Sequence, residues 1–289
     1  MNANLIKELR DMSGAGLMDC KKALEANDGD VNKAMDYLRE KGISKAAKKA
    51  NRIAAEGLST ISIKGNAASI VEVNCETDFV AKNEKFVNLV NMIADLISEN
   101  DVNTMEDAMN LKTDEGTLND TIVNLTATVG EKISFRRFAR LTKNDSQVFG
   151  SYIHMGGKIS SLILLNGSDE SVAKDVAMHA AAMGPTYVRR EEVPASEVEK
   201  ETTILKEQAM NEGKPAEIAE KMVKGRIDKF YKEICLEEQS FVKESDITVS
   251  QFVKSHNSEI VTMVRYAVGE GIEKKEENFA EEVMNQIKG

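Results

Sequence analysis

Over residues 59–75 the apolar residues of this chain alternate. The stretch "STISIKGNAASIVEVNC" places Ile61 and Ile63 before Gly65-Asn66, and Val71, Val73 and Cys75 after it. A period of two marks strands with one buried face, and a Gly-Asn step between two such runs turns a hairpin. On either side the apolar residues recur at helical spacing instead. Helices packed on one face of small antiparallel sheets, an α+β fold, satisfy both periods.

The same scheme recurs. A helix with Phe86, Val90, Ile93, Ala94 and Ile97 follows the first hairpin, and "EKISFRRFARL" reads as a third strand after a polar stretch. "QVFGSYIHMGGKISSLILLNG" is a second hairpin turning at Gly156-Gly157. "SDESVAKDVAMHAAAM" is its helix, with Ser168 or Asp169 as N-cap, and "EIVTMVRYAVG" is its third strand. Before the last strand lies an insertion of two long helices. Ser196 and Glu199 form a capping box, with Val198, Leu205 and Ala209 on the apolar stripe. Gly213 stops the first helix, Pro215 opens the second, and Ala219, Met222, Ile227, Phe230 and Ile234 line the returning stripe. So short a turn makes the pair antiparallel, each helix roughly 20–30 Å long at 1.5 Å per residue. A projecting arm and a hairpin lying on the core both fit that pattern.

Residues 1–41 read as three short helices. Leu5, Ile6, Leu9 and Met12 line the first, residues 18–26 form the second, and Val31, Ala34, Met35 and Leu38 line the third, which Gly42 ends. A unit of about 40 residues buries little surface by itself, so such modules dock onto something. "KGISKAAKKANRIAAEG" then reads as a basic, partly helical linker. At the other end "EKKEENFAEEVMNQIKG" has Phe279, Val283 and Ile287 on one helical face.

At 289 residues, two or more domains are expected. No apolar run approaches ~18 residues, which excludes a spanning helix, and no signal peptide is visible at the N-terminus. Cys20, Cys75 and Cys235 are scattered and odd in number, as reduced thiols of a cytoplasmic protein are. A net charge of -10 argues against nucleic acid as the main ligand and leaves a protein partner. There is no G-x-x-x-x-G-K-[ST] phosphate loop. His154, His179 and His256 have no Cys or carboxylate at metal spacing, and Cys75 reads as a core thiol rather than a nucleophile. With no constellation for acid–base or nucleophilic chemistry, and no cofactor expected, the chain reads as a binding protein, not an enzyme.

"NCETDFVAKNEKF" carries the one ambiguous feature. Thr77 or Asp78 caps a helix that begins where a strand ends, and an acid in the first turn suits the helix dipole. Phe79 is then either a core aromatic or a side chain presented at a surface corner, and the residues alone leave both open.

Together with "LIKELRDMSGAGLMDCKKALEANDGDVNKAMDYLREKG", "GSYIHMGGKI", "GKPAEIAEKMVKGRIDKF" and "VGEGIEK", that stretch resembles the bacterial elongation factor Ts family over nearly the whole chain and in the same order. The resemblance implies a ubiquitin-associated-like three-helix module and linker over residues 1–54. It further implies a core of two α+β subdomains, over residues 55–142 and over 143–186 with 236–270. A coiled-coil dimerisation arm over 187–235 and a C-terminal helical module over 271–289 complete it. It also implies the partner, elongation factor Tu in its GDP-bound and nucleotide-free forms, with homodimerisation through the arm. Thr77, Asp78, Phe79 and Val80 would dislodge the partner's Mg²⁺ and so promote GDP release. Arg10, Leu17, Met18, Lys21 and Lys49 would touch the partner from the N-terminal side, with Val129, Gly130, His154 and Val242 touching it from the core. Lys243 stands where the family has an apolar residue. A non-catalytic scaffold binding through its three-helix module is the alternative reading.

Overall fold

The computed structural model describes residues 3–13, 15–213 and 216–273. They divide between two compact units, Met1–Thr60 with Val71–Phe138 and Ala267–Gly289, and Ile61–Ile70 with Ala139–Tyr266. The proposed C-terminal helix on Phe279, Val283 and Ile287 lies outside the described residues, as does Pro215.

The first unit opens with α1 (Ala3–Ser13), α2 (Leu17–Ala26) and α3 (Val31–Ala47). Leu9, Cys20, Ala23, Leu24 and Ala34 close a small core of their own. Gly42 does not end the third helix. It is buried mid-helix, and a Cβ there would lie 3.5 Å from Ala127 Cβ. Its missing side chain admits α7, introduced below, a use of glycine that outweighs its weak helix propensity.

Strands β1 (Glu56–Lys64) and β2 (Ala67–Cys75) form the hairpin, and β5 (Ser134–Thr142) completes a sheet of order β1-β2-β5. Between them lie α4 (Asp78–Ala81), α5 (Glu84–Glu99), α6 (Met105–Met109), the two-residue strands β3 (Lys112–Thr113) and β4 (Gly116–Thr117), and α7 (Leu118–Val129). The central strand β2 is buried along its whole length. Its Val71, Val73 and Cys75 pack with Phe86, Leu89, Val90, Ile93 and Ile97 of α5 and with Leu118 and Ile122 of α7. Each fully buried apolar side chain of this size contributes about 1.5–3 kcal/mol. Glu72 is also fully buried on β2. Burial alone would raise its pKa, but the Gly269 N–H and the guanidinium groups of Arg137 and Arg136 outweigh it and hold the carboxyl below its ordinary range.

In the second unit β6 (Gln147–His154) and β7 (Ile159–Asn166) pair antiparallel, with Gly150 opposite Ile163. Helix α8 (Glu170–Met183) starts at Asp169, whose carboxylate accepts from the N–H groups of Ser171 and Val172. A Cβ at Gly150 would fall 2.0 Å from the Ala173 carbonyl oxygen, so glycine lets α8 lie against the strand. Helices α9 (Ala195–Asn211) and α10 (Ala216–Ile234) pack on Leu205, Ala209, Ala219, Val223 and Ile227. The contact stripe of α10 thus passes through Val223, with Met222 beside it. Ser196 is not the N-cap of α9. Pro194 is, without a side-chain cap bond, and Ser196 and Glu199 lie inside the helix. Gly213, at φ 68°, follows the helix end as expected. The short strands β8 (Ser240–Phe241) and β9 (Glu244–Thr248), α11 (Val249–Ser255) and β10 (Glu259–Ala267) follow, the last giving sheet order β10-β7-β6.

Candidate partner-binding site

Strand β2 runs out at Cys75, and the chain turns into helix twice within a few residues. Thr77 is extended, at φ -124° and ψ 157°, and its hydroxyl accepts the Val80 N–H. The resulting helix α4 is one turn long. Asn83 caps the next, accepting the Lys85 N–H at 3.0 Å. Ala81 is buried and Val80 packs against the core of the first unit, so the opposite side of this single turn faces out. Phe79 occupies that side with 82% of its surface exposed. Of the two readings open from the sequence, the structure has the surface corner. Asp78 is half-exposed, and its Oδ2 pairs with Lys82 Nζ at 2.7 Å across one turn. The Cys75 thiol is buried and donates to the Thr77 carbonyl at 3.1 Å, a core thiol as expected.

The corner is tied to a second segment. Glu131 accepts both the N–H and the O–H of Thr77, and Glu76 accepts the N–H of Lys132. Val129 and Gly130, the residues just before, end α7. Val129 packs on the same core, and Gly130 caps the helix in the left-handed conformation at φ 80°. Thr77, Asp78, Phe79, Val80, Val129 and Gly130 are therefore brought together. The sequence reading missed Glu131 and Glu76. No local signal pairs residues 54 positions apart, although a Glu placed directly after a helix-ending Gly was a visible candidate for such a tie.

On the three-helix module Arg10 is exposed in the last turn of α1. Leu17 and Met18 are exposed at the start of α2, and Met12 is exposed near the end of α1. Lys21 reaches Glu25 at 3.8 Å. Lys49 is half-buried in the turns after α3. In the second unit His154 ends β6, exposed, its ring centroid 6.0 Å from that of Tyr152. Val242 is exposed between β8 and β9, and its N–H donates to His179 Nδ1 at 3.2 Å. Lys243 turns to Asp175 of α8, at 2.6 Å. Among the described residues no group of His, Cys, Asp and Glu could hold a metal ion, and no helix is long and apolar enough to cross a membrane.

A family model described as "Elongation factor TS" matches residues 76–270. An elongation factor Ts of Limosilactobacillus reuteri is 52% identical over 287 residues, covering 99% of both chains. That of Lactiplantibacillus plantarum is 53% identical over 288 residues, covering 100% of this chain and 99% of the other. With the match running from the three-helix module through both sheets, the chain belongs to the elongation factor Ts family.

Proposed function

We propose that this chain binds elongation factor Tu in the cytoplasm and promotes release of its GDP, with Phe79 as an apolar wedge and Asp78 beside it at the partner's Mg²⁺ site. The exposure of Phe79 on a one-turn helix carries this reading. A large aromatic ring held out in water has no folding role and supports an interface.

A GTPase holds GDP through its phosphate loop and a Mg²⁺ bridging the phosphates. A protein that binds the nucleotide-free form more tightly weakens nucleotide binding by the same factor. Full burial of one Phe is worth about 1.5–3 kcal/mol, and each 1.4 kcal/mol is about tenfold in affinity. One wedge thus supplies a tenfold to hundredfold share of the coupling, and further contacts supply the rest. Thr77 and Val80 hold the corner, while Val129 and Gly130 touch the partner beside it. Arg10, Leu17, Met18, Lys21 and Lys49 dock a ubiquitin-associated-like module, and His154 and Val242 add contacts from the second subdomain. On this reading residues 187–235 form a coiled-coil arm that carries dimerisation.

The test is Phe79→Ala. Release of a fluorescent GDP from elongation factor Tu, with the variant saturating, is expected to slow at least about tenfold. Thermal unfolding should move little, because exposed substitutions stay within about 0.5 kcal/mol. A variant that melts well below the parent yet releases GDP at the parent's rate would make Phe79 a structural residue and end the wedge reading.

A further inference from the structure

We propose that Glu131 is the positioning residue of the Phe79 corner, acting through Thr77. The inference rests on the wedge reading above. Glu131 Oε1 accepts from the Thr77 hydroxyl at 2.6 Å and Oε2 from the Thr77 N–H at 3.0 Å. A hydroxyl has one proton. Once it is given to Glu131, the oxygen's lone pairs are left for the Val80 N–H, at 3.3 Å. The carboxylate therefore fixes which way the cap of α4 points. Bonds to an ionised carboxylate are roughly twice as strong as neutral ones. A four-residue helix has too few internal bonds to hold its own direction, so an external fixture decides where Phe79 stands.

The fixture is crossed. Glu76 Oε1 accepts the Lys132 N–H at 2.6 Å and pairs with Arg52 at 3.3 Å, while Lys132 Nζ donates to the Arg52 carbonyl at 3.0 Å. Residues 76–77 and 131–132 thus each bind the other's backbone. This sets the Phe79 corner in register with Val129 and Gly130, the neighbouring candidate contact. A wedge displaced by about 1 Å can lose on the order of a hundredfold in rate without losing its own surface.

The experiment compares Glu131→Ala, the isosteric Glu131→Gln and Phe79→Ala in the full chain. Each is measured for GDP release from elongation factor Tu as a function of exchange-factor concentration, and for thermal unfolding. Glu131→Ala is expected to lower the saturated release rate at least about tenfold while shifting the half-saturating concentration less than about twofold. Glu131→Gln keeps one acceptor for Thr77 but sets an amide NH2 against its other donor and loses the charge. Its rate should therefore fall between those of the parent and the alanine variant, which also keeps the test open if the alanine variant folds poorly. Release at the parent's rate by both Glu131 variants, with Phe79→Ala slow, overturns the positioning role and leaves the wedge standing. Equal loss of rate and affinity, following the loss of stability, also overturns it, since that is what a merely structural residue gives. Should Phe79→Ala release GDP at full rate, the wedge reading falls and this inference with it.

Discussion

Phe79 and Val80 are adjacent in the chain and opposite in environment. One faces water and the other packs on the core, because a single helical turn anchored by Ala81 can bury only one side. His179 shows the reverse economy, a polar ring wholly inside. Its Nδ1 accepts the Val242 N–H, and its Nε2 faces the Gln239 side-chain oxygen at 3.0 Å. Gln239 in turn donates its amide N–H to the Glu233 carbonyl at 2.7 Å, which fixes which end of the amide meets the ring. The ring is therefore neutral with its proton on Nε2. Burial pushes its pKa below the ordinary 6.5, and the bond to Gln239 offsets only part of that. A histidine with a depressed folded pKa contributes stability that is complete above about 6.5 and is lost as pH falls below it. Relative to a His179→Gln variant, the parent should lose stability as the pH falls from about 7.5 to about 5.5, read by urea unfolding. A parallel pH dependence of the two proteins would contradict the neutral buried ring.

Helix α7 marks the limit of what periodicity can reveal. Its sequence, "LNDTIVNLTATV", is rich in Thr and Val, which are poor helix formers, and reads as an undistinguished polar stretch. It is helical because Thr117 and Asp120 cap it reciprocally and because Leu118, Ile122 and Thr126 are buried by other elements. Gly42 was misread for the same reason, its value lying in a neighbour 85 positions away. The alternating strands and the α5 stripe, by contrast, were legible because their own residues carry the pattern. At the site, the helix start at Thr77 was readable from its cap residue, while the exposure of Phe79 and the tie to Glu131 depend on distant packing. The α9–α10 pair has its own small cluster, Leu205, Ala209, Ala219, Val223 and Ile227. Leu205→Asp places a charge in that cluster and should cost about 3 kcal/mol or more there. Far-UV circular dichroism is expected to show an early, partial loss of helix ahead of the main transition, and light scattering the loss of the dimer proposed for this arm. A single transition at the parent's temperature with an unchanged mass would mean that the two helices do not depend on this stripe.

For the whole molecule, the most direct test is removal of residues 1–50. The cores on either side of that cut share no residue. Leu9, Cys20, Ala23, Leu24 and Ala34 close one, and the cluster of β2, α5 and α7 closes the other without them. What the deletion removes from the remaining fold is the packing of α3 along α7, including the approach of Gly42 to Ala127 and the pair of Arg39 with Asp120 at 2.9 Å. Arg39 is more than half exposed, so the pair is worth only about 0–1 kcal/mol. Arg52 survives the cut, and with it the ties of Glu76 and Lys132 that hold the corner. The truncated chain should therefore still fold around the cluster of β2, α5 and α7, with a melting temperature lowered by the loss of α3 from α7, and present Phe79 as before. It would lack Arg10, Leu17, Met18, Lys21 and Lys49. Half-saturation with elongation factor Tu is expected to require at least about tenfold more protein, equivalent to about 1.4 kcal/mol of lost docking, while the saturated rate of GDP release stays near that of the full chain. A truncated protein with unchanged half-saturation would assign the module no part in docking. One that saturates at a much lower rate would place part of the exchange machinery in the first fifty residues, beyond the corner built on Thr77 and Phe79.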